Sequence, residues 1–198
     1  MEYQDQKQHI ELIAMGASTG GTEALLAVLK ELPGNLPPIV ITQHMPPVFT
    51  EMYAERLNRL CAMEVREAKD GDELYSGLCL IAPGGLQMRV HKDVLGARVS
   101  CTEEDKVSGH CPSVDVLFHS VAEQYEASAI GILLTGMGKD GAKGLLAMHE
   151  QGAYTLGQDE KSSVVYGMPM EAYKLGAVSQ QGNLEQIPQY LLQRLRFS

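Results

Sequence analysis

The sequence contains no apolar run that approaches the about 20 residues a helix needs to cross a bilayer. Its N-terminal segment, MEYQDQKQHIEL, is polar and partly acidic. A secretory signal peptide instead combines a basic start with an apolar stretch. We therefore expect a cytoplasmic protein that is not inserted into a membrane.

Cysteine is scarce, and its four copies lie far apart without any CxxC pair. This spacing predicts neither a zinc site nor a disulfide framework, so we expect reduced thiols that mostly pack in the interior. No cluster of residue types indicates a metal ion or an organic cofactor. The cysteines are Cys61, Cys79, Cys101 and Cys111.

Basic residues are also in deficit. The formal net charge is −9, and no run rich in lysine and arginine is present. Because nucleic acids are bound largely through their phosphates, this balance argues against a nucleic-acid partner. An acidic protein partner would be repelled overall, so its recognition has to depend on a few basic or polar groups near the site.

Length and composition favour one domain. The 198 residues are 44% hydrophobic and include no low-complexity tract, which suits one packed core better than two. We expect a polar lead-in over residues 1–11 and a single domain over residues 12–198.

Strand-like and helix-like segments alternate along the chain, which predicts an α/β fold. Parallel strands need crossover connections, so the alternation indicates a doubly wound, mostly parallel sheet with helices on both faces. Residues 86–91 and 97–101 interrupt it as an antiparallel β-hairpin. The predicted strands cover residues 12–15, 39–42, 64–68, 78–82, 129–135, 153–156 and 177–179. The predicted helices cover residues 22–32, 50–60, 142–151 and 168–175, with others opening at Pro112-Ser113 and after Pro188. We expect the second of these helices to turn Tyr53, Leu57 and Leu60 inward. In the helix after it, Ser113 is a plausible N-cap or Pro112 the first-turn proline.

The first strand runs into the string Gly16-Ala17-Ser18-Thr19-Gly20, which fits the GxSxG pattern of a nucleophile elbow. Small flanking residues tolerate the tight turn that exposes a serine hydroxyl. Taken alone the match is weak, because glycine-rich turns after a first strand also cradle phosphates, and Ser18 would serve equally as a helix-start cap.

Two more polar residues, His44 and Asp140, follow predicted strands. Since ligands bind at the carboxyl edge of such sheets, Ser18, His44 and Asp140 would suit a nucleophile, its base and the group that orients the base. Each also has an ordinary structural interpretation: a satisfied strand-end histidine for His44 and a turn carboxylate for Asp140. His110 competes as the base, whereas no environment that lowers a thiol pKa is visible for Cys111.

Several longer strings carry a family resemblance. Together they resemble the catalytic domain of the chemotaxis protein-glutamate methylesterase family, CheB, over about residues 12–178. The strings are GASTGGTEAL, VITQHMPP, IAPGG, PSVDVLFHSVA, ILLTGMGKDGAKGLLAM and QDEKSSVVYGMPMEA.

The resemblance implies hydrolysis of glutamate γ-methyl esters on the cytoplasmic helices of methyl-accepting chemotaxis receptors, with release of methanol. It also implies deamidation of receptor glutamines in many members. Carried over by motif, the nucleophile falls on Ser18, the base on His44 and the acid on Asp140. The backbone N–H groups of Met137 and His44 would bind the oxyanion.

The chain departs from the family pattern at two positions: Cys111 stands where a basic residue is common, and Gln87 where a histidine is frequent. Neither change touches the triad. The family also usually carries an N-terminal receiver domain of the two-component type. Because only about ten residues precede the first predicted strand, we expect no receiver domain in this chain, and such a domain would act as a regulatory partner in cis or in trans.

Two further hypotheses belong to other classes. In one, the turns at residues 16–21 and 136–141 hold the phosphates of a nucleotide. The lack of a lysine after the first glycine cluster, and His44 in place of an acidic ribose-binding residue, count against it. In the other, the chain is a catalytically silent module that binds receptors.

Overall fold

The computed structural model describes residues 9–196, which form a three-layer α/β/α sandwich. The lead-in predicted over residues 1–11 lies mostly outside the described residues. The strands are β1 (Leu12–Ala17), β2 (Ile39–Gln43), β3 (Glu64–Glu67), β4 (Leu78–Ile81), β5 (Gln87–Asp93), β6 (Gly96–Thr102), β7 (Ala129–Leu133), β8 (Tyr154–Gln158) and β9 (Gln180–Gly182). The helices are α1 (Gly21–Leu29), α2 (Phe49–Leu60), α3 (Val114–Tyr125), α4 (Ala142–Glu150), α5 (Met168–Lys174) and α6 (Gln186–Arg196).

Seven strands form one parallel sheet in the order β3-β4-β2-β1-β7-β8-β9. β5 and β6 pair separately as an antiparallel hairpin. The predicted fold class, a doubly wound parallel sheet with a hairpin insertion, is therefore confirmed. The central strands β1, β2 and β7 are buried along their whole length, as parallel strands covered on both faces must be.

Alternate residues of β1 point into two separate cores. Leu12 and Ala14 pack with the apolar faces of α3, α4 and α5 and with the hairpin. Ile13 and Met15 pack with α1, α2 and α6. Because successive side chains of a strand point to opposite faces of the sheet, β1 packs against both layers of helices. The carboxyl edge of the sheet is left for the connecting loops.

Three local predictions are wrong. Leu60 does not face the core: it is 54% exposed, while Cys61 packs against the core beyond Leu57 as the helix ends. The strand predicted over residues 177–179 lies instead at Gln180–Gly182, where the polar edge strand pairs with β8. The last helix begins before Pro188, because a proline in a first turn removes no internal hydrogen bond.

Candidate active site

Ser18 lies in the turn between β1 and α1. Its backbone N–H donates to the carbonyl of Thr135 at 3.0 Å, and its own carbonyl accepts from Gly21 at 2.7 Å. The residue that caps α1 is Gly20, in the left-handed region with φ 79°, and no side chain caps this helix. The alternative that Ser18 is a helix cap is therefore wrong. Among residues 9–196 the Ser18 hydroxyl makes no hydrogen bond, so it is committed to no structural role.

A glycine brings a second turn against Ser18. A Cβ at Gly136 would lie 2.8 Å from the Ser18 Cβ and 2.3 Å from the Met168 Sδ. Only a residue without a side chain fits this close approach. The turn after β7 therefore passes directly beside Ser18 and brings Met137 to it.

His44 stands at the same edge, immediately after β2. Ala17 and Gln43 are partners in the parallel register of β1 and β2, so Ser18 and His44 are the next residues along two neighbouring strands. The Gln43 side chain fastens the two segments, because its Nε2 donates to the Ser18 carbonyl at 2.9 Å.

The imidazole of His44 binds Asp140. Its Nε2 lies 2.6 Å from Asp140 Oδ2, with side-chain exposures of only 8% and 1%. Its Nδ1 is buried and has no hydrogen-bond partner among the described residues. In the usual serine hydrolase triad the carboxylate holds Nδ1 and the nucleophile faces Nε2. Here the nitrogens are exchanged, which leaves Nδ1 to accept a proton.

Asp140 is held at the N-terminus of α3. Its carboxylate accepts from the Ser113 hydroxyl at 2.7 Å and from the backbone N–H groups of Val114 and Asp115 at 2.7 and 3.0 Å. These free N–H groups and the positive end of the helix dipole favour a negative charge. Burial by itself would raise the pKa of Asp140. The hydrogen bonds from His44, Asp115, Ser113 and Val114 outweigh burial, and the pKa lies below its ordinary value.

Sequence reasoning found Asp140 but missed the helix that holds it. The available signal was Pro112-Ser113, interpreted only as a possible cap. Ser113 is indeed the N-cap of α3 and accepts from Val116, yet the same hydroxyl also donates to Asp140. A cap pattern does not reveal this second bond, which joins segments 27 residues apart.

The two backbone N–H groups predicted to bind the oxyanion differ in whether they already form a hydrogen bond. The N–H of Met137 is free of hydrogen bonds to any described residue and follows Gly136, which touches Ser18. The N–H of His44 donates to the Ala17 carbonyl at 3.2 Å. The prediction that the His44 N–H binds the oxyanion is therefore wrong, because this N–H already extends the hydrogen bonds between β1 and β2.

His110, the competing base, also lies in the site. Its ring is stacked on that of His44, with centroids 3.5 Å apart and an angle of 7° between the planes. Asp140 contacts His44 and not His110, so His44 is the better-oriented base. Desolvation lowers the pKa of His110, and the charge of His44 lowers it further, while Asp140 acts in the opposite direction.

A cleft of about 560 Å³ opens beside the two rings. Its walls include Pro46, Glu103, Lys106 and Cys111. Burial raises the pKa of the Cys111 thiol, so the thiol does not have the low pKa of a cysteine nucleophile. None of the helices between residues 9 and 196 is long and apolar enough to cross a membrane.

Comparison with known proteins agrees with this architecture. The model of the CheB methylesterase family matches residues 13–191. The catalytic domain of the Thermotoga maritima CheB methylesterase superposes with a TM-score of 0.90 at 34% identity, covering 93% of this chain and 98% of that one.

Two curated relatives bear the name protein-glutamate methylesterase/protein-glutamine glutaminase. The protein from Syntrophomonas wolfei is 56% identical over 91% of this chain, and the one from Salmonella typhimurium is 49% identical over 93%. The chain spans 53% of the length of each. By the family match, the sequence identity and the shared fold, this chain belongs to the CheB methylesterase family.

Proposed function

We propose that this chain hydrolyses glutamate γ-methyl esters on chemoreceptors and releases methanol. One observation carries the proposal: a buried His44–Asp140 pair stands at the strand end next to a serine whose hydroxyl makes no hydrogen bond to any described residue. The names of the relatives supply the substrate class. The substrates are then segments of methyl-accepting chemotaxis receptors that lie in the cytoplasm, where the enzyme would act.

The chemistry follows from the three side chains. Ser18 Oγ attacks the ester carbonyl while His44 Nδ1 takes the hydroxyl proton, and Asp140 stabilises the imidazolium that forms. The Met137 N–H stabilises the negative oxygen of the tetrahedral intermediate. Collapse expels methanol, which receives the proton from His44 and leaves an acyl-enzyme on Ser18. Water then attacks the acyl group with His44 as base, and Ser18 and a glutamate are regenerated.

The same steps would deamidate a receptor glutamine, with ammonia as the leaving group. The second activity named for the relatives, protein-glutamine glutaminase, supports this proposal. Because an amide is less reactive than an ester, we expect deamidation to be slower than demethylation at the same site. We further propose that a receiver domain, in cis or in trans, regulates access to the cleft.

Methanol release from methylated receptor membranes tests the proposal. Ser18→Ala should reduce release by at least about 10³-fold, the usual scale for loss of a nucleophile. Ser100→Ala is the matched control, since Ser100 lies in the hairpin strand β6 and bonds His91, and it should keep full activity.

Three results would contradict the proposal. Normal turnover by Ser18→Ala would remove the serine from the mechanism. Binding of receptor by the unaltered chain without any methanol release would instead identify a silent receptor-binding module. Tight binding of a nucleotide that Ser18→Ala abolishes would favour the phosphate-binding hypothesis.

A further inference from the structure

The hydrogen bond to Asp140 does not by itself fix the His44 ring. One bond at Nε2 leaves the imidazole free to swing about the line that joins the two residues. Such a swing would turn Nδ1 away from the position in which it takes the Ser18 proton in the proposed mechanism, while the bond to Asp140 persists. A flat surface against the ring removes this freedom, and His110 provides one, with ring centroids at 3.5 Å and planes within 7°.

His110 is itself held firmly. Its N–H donates to the Val107 carbonyl and its carbonyl accepts from the Val107 N–H, both at 3.0 Å. Ser108 and Gly109 form the turn between them, with φ values of 52° and 81°. Positive φ at both central positions is the geometry of a tight type I′ turn. The loop before α3 therefore presents the ring from a rigid base.

Gln87 joins this turn to the triad. Its side chain is fully buried, and its Nε2 donates to the carbonyls of Asp105 and His110 at 3.2 and 3.1 Å. Its Oε1 accepts from the Ser113 N–H at 2.8 Å, and the Ser113 hydroxyl binds Asp140. One amide thus anchors both the residue that stacks on His44 and the cap that holds its carboxylate. A histidine at position 87 has only two ring nitrogens and cannot form all three bonds.

We propose that His110 is a positioning residue, which keeps the His44 ring aimed at Ser18 by stacking and is held there by Gln87. The inference rests on the proposed esterase function for its kinetic readouts. It requires that the surface of the ring, not a proton on it, is what His110 contributes.

The charges around His110 make the role dependent on pH. His44, Asp140 and Lys106 act on it directly, and Glu103 and Glu104 line the same cleft. With its pKa lowered, His110 is uncharged at neutral pH, where a neutral ring can lie against the imidazolium that forms on His44. At lower pH a protonated His110 would repel that imidazolium.

Two substitutions separate stacking from acid–base chemistry. His110→Ala removes the flat surface, and we expect kcat to fall about tenfold with KM nearly unchanged, since misorientation by about 1 Å costs up to 10²-fold. His110→Phe keeps a flat ring and should restore most of kcat. The Phe variant should also lose part of the decline of kcat at low pH, because its ring takes no proton.

Each other outcome overturns the proposal. An unchanged kcat in His110→Ala would show that the stack has no role. A Phe variant as slow as the Ala variant would assign the effect to the ring nitrogens. A raised KM at constant kcat would make His110 a substrate-binding residue. Gln87→Met, which keeps the volume and loses the three bonds, should lower kcat in the same direction as His110→Ala, and an unchanged kcat would remove Gln87 from the proposal.

A measurement without turnover keeps this inference separate from the proposed function. In ¹H–¹⁵N spectra of labelled histidine, the Nε2 proton of His44 should exchange with water faster in His110→Ala than in the unaltered chain, and Phe should restore the slow exchange. This exchange measurement tests the positioning role even if the unaltered chain releases no methanol. Absence of methanol release would refute only the proposed esterase function. Equal exchange rates in all three proteins would overturn the positioning role, and thermal unfolding of each confirms that it is folded.

Discussion

The turn that carries Ser18 and the loop that carries Asp140 share one edge of the sheet but are built in opposite ways. The Ser18 side chain forms no hydrogen bond within residues 9–196, and its turn is shaped by backbone bonds and by the closeness of Gly136. The Asp140 carboxylate accepts four hydrogen bonds and is 1% exposed. The proposed nucleophile is left open, whereas the carboxylate proposed to orient the base is fixed on every side.

The largest expected effect comes from Asp140→Asn. The amide would place an N–H₂ group against donors that now face a carboxylate, either His44 and Val114 or Ser113 and Asp115. In the first orientation the amide donates to His44 and imposes the wrong imidazole tautomer, and in a serine protease triad this change lowers kcat about 10⁴-fold. Initial rates of methanol release measure it. Activity within tenfold of the unaltered chain would contradict an orienting role for Asp140.

Gly136→Ala tests the other side of the comparison. The added methyl group would collide with the Ser18 Cβ and the Met168 Sδ, so the two turns must separate. We expect kcat to fall about 10²-fold, the scale of a small misplacement of reacting groups.

Gly138→Ala is the matched control for this change. Gly138 has φ 90°, and nothing lies within 4 Å of its added Cβ, so only backbone strain results. A loss of activity as large as that of Gly136→Ala would show that strain in the turn, and not contact with Ser18, is responsible.

The sequence predicts where the three side chains lie, but not how they are held. The ends of the predicted strands place Ser18, His44 and Asp140 together, because a parallel sheet gathers the carboxyl ends of its strands at one edge. The alternation of strand-like and helix-like segments along the chain likewise predicts the fold class. Both inferences depend on local patterns that a single sequence contains.

The missing parts depend on contacts between distant segments. The stack of His110 and the bonds from Gln87 depend on how the segment over residues 103–112 packs against the hairpin. The His44 nitrogen that faces Asp140 depends on a carboxylate held by the start of α3. The shift of the edge strand to Gln180–Gly182 has the same origin, since strand register is a property of the pair. No periodicity within one segment encodes these arrangements.

The pH dependence of stability should differ between Asp140 and its neighbour Asp115. The pKa of Asp140 is lowered on folding, so its ionised form stabilises the protein above the unfolded pKa of about 4, and this contribution is lost as pH falls through the folded value. Urea unfolding from pH 7 to pH 3 should therefore show the stability difference between the unaltered chain and Asp140→Asn shrinking.

Asp115 should behave in the reverse sense. Burial raises its pKa, and this outweighs the hydrogen bond from the Gly144 N–H. Its contribution to stability is present below the unfolded pKa and is lost as pH rises through the folded value. Relative to Asp115→Asn, the unaltered chain should lose stability as pH rises. The same slope in both variants would contradict the distinction between the two carboxylates.

The smallest expected effects are changes in the free energy of unfolding when Ser113 or Ser18 is replaced by alanine. Ser113→Ala removes a buried hydroxyl that caps α3 and donates to Asp140, and the free energy of unfolding should fall by about 1–2 kcal/mol, as for other lost caps. Ser18→Ala removes a hydroxyl without a hydrogen bond to any described residue, so the change should stay within about 0.5 kcal/mol. Chemical denaturation at pH 7 measures both. A loss at Ser18 equal to that at Ser113 would mean that the nucleophile turn is stabilised by its side chain, and the comparison between an open and a fixed region would fail.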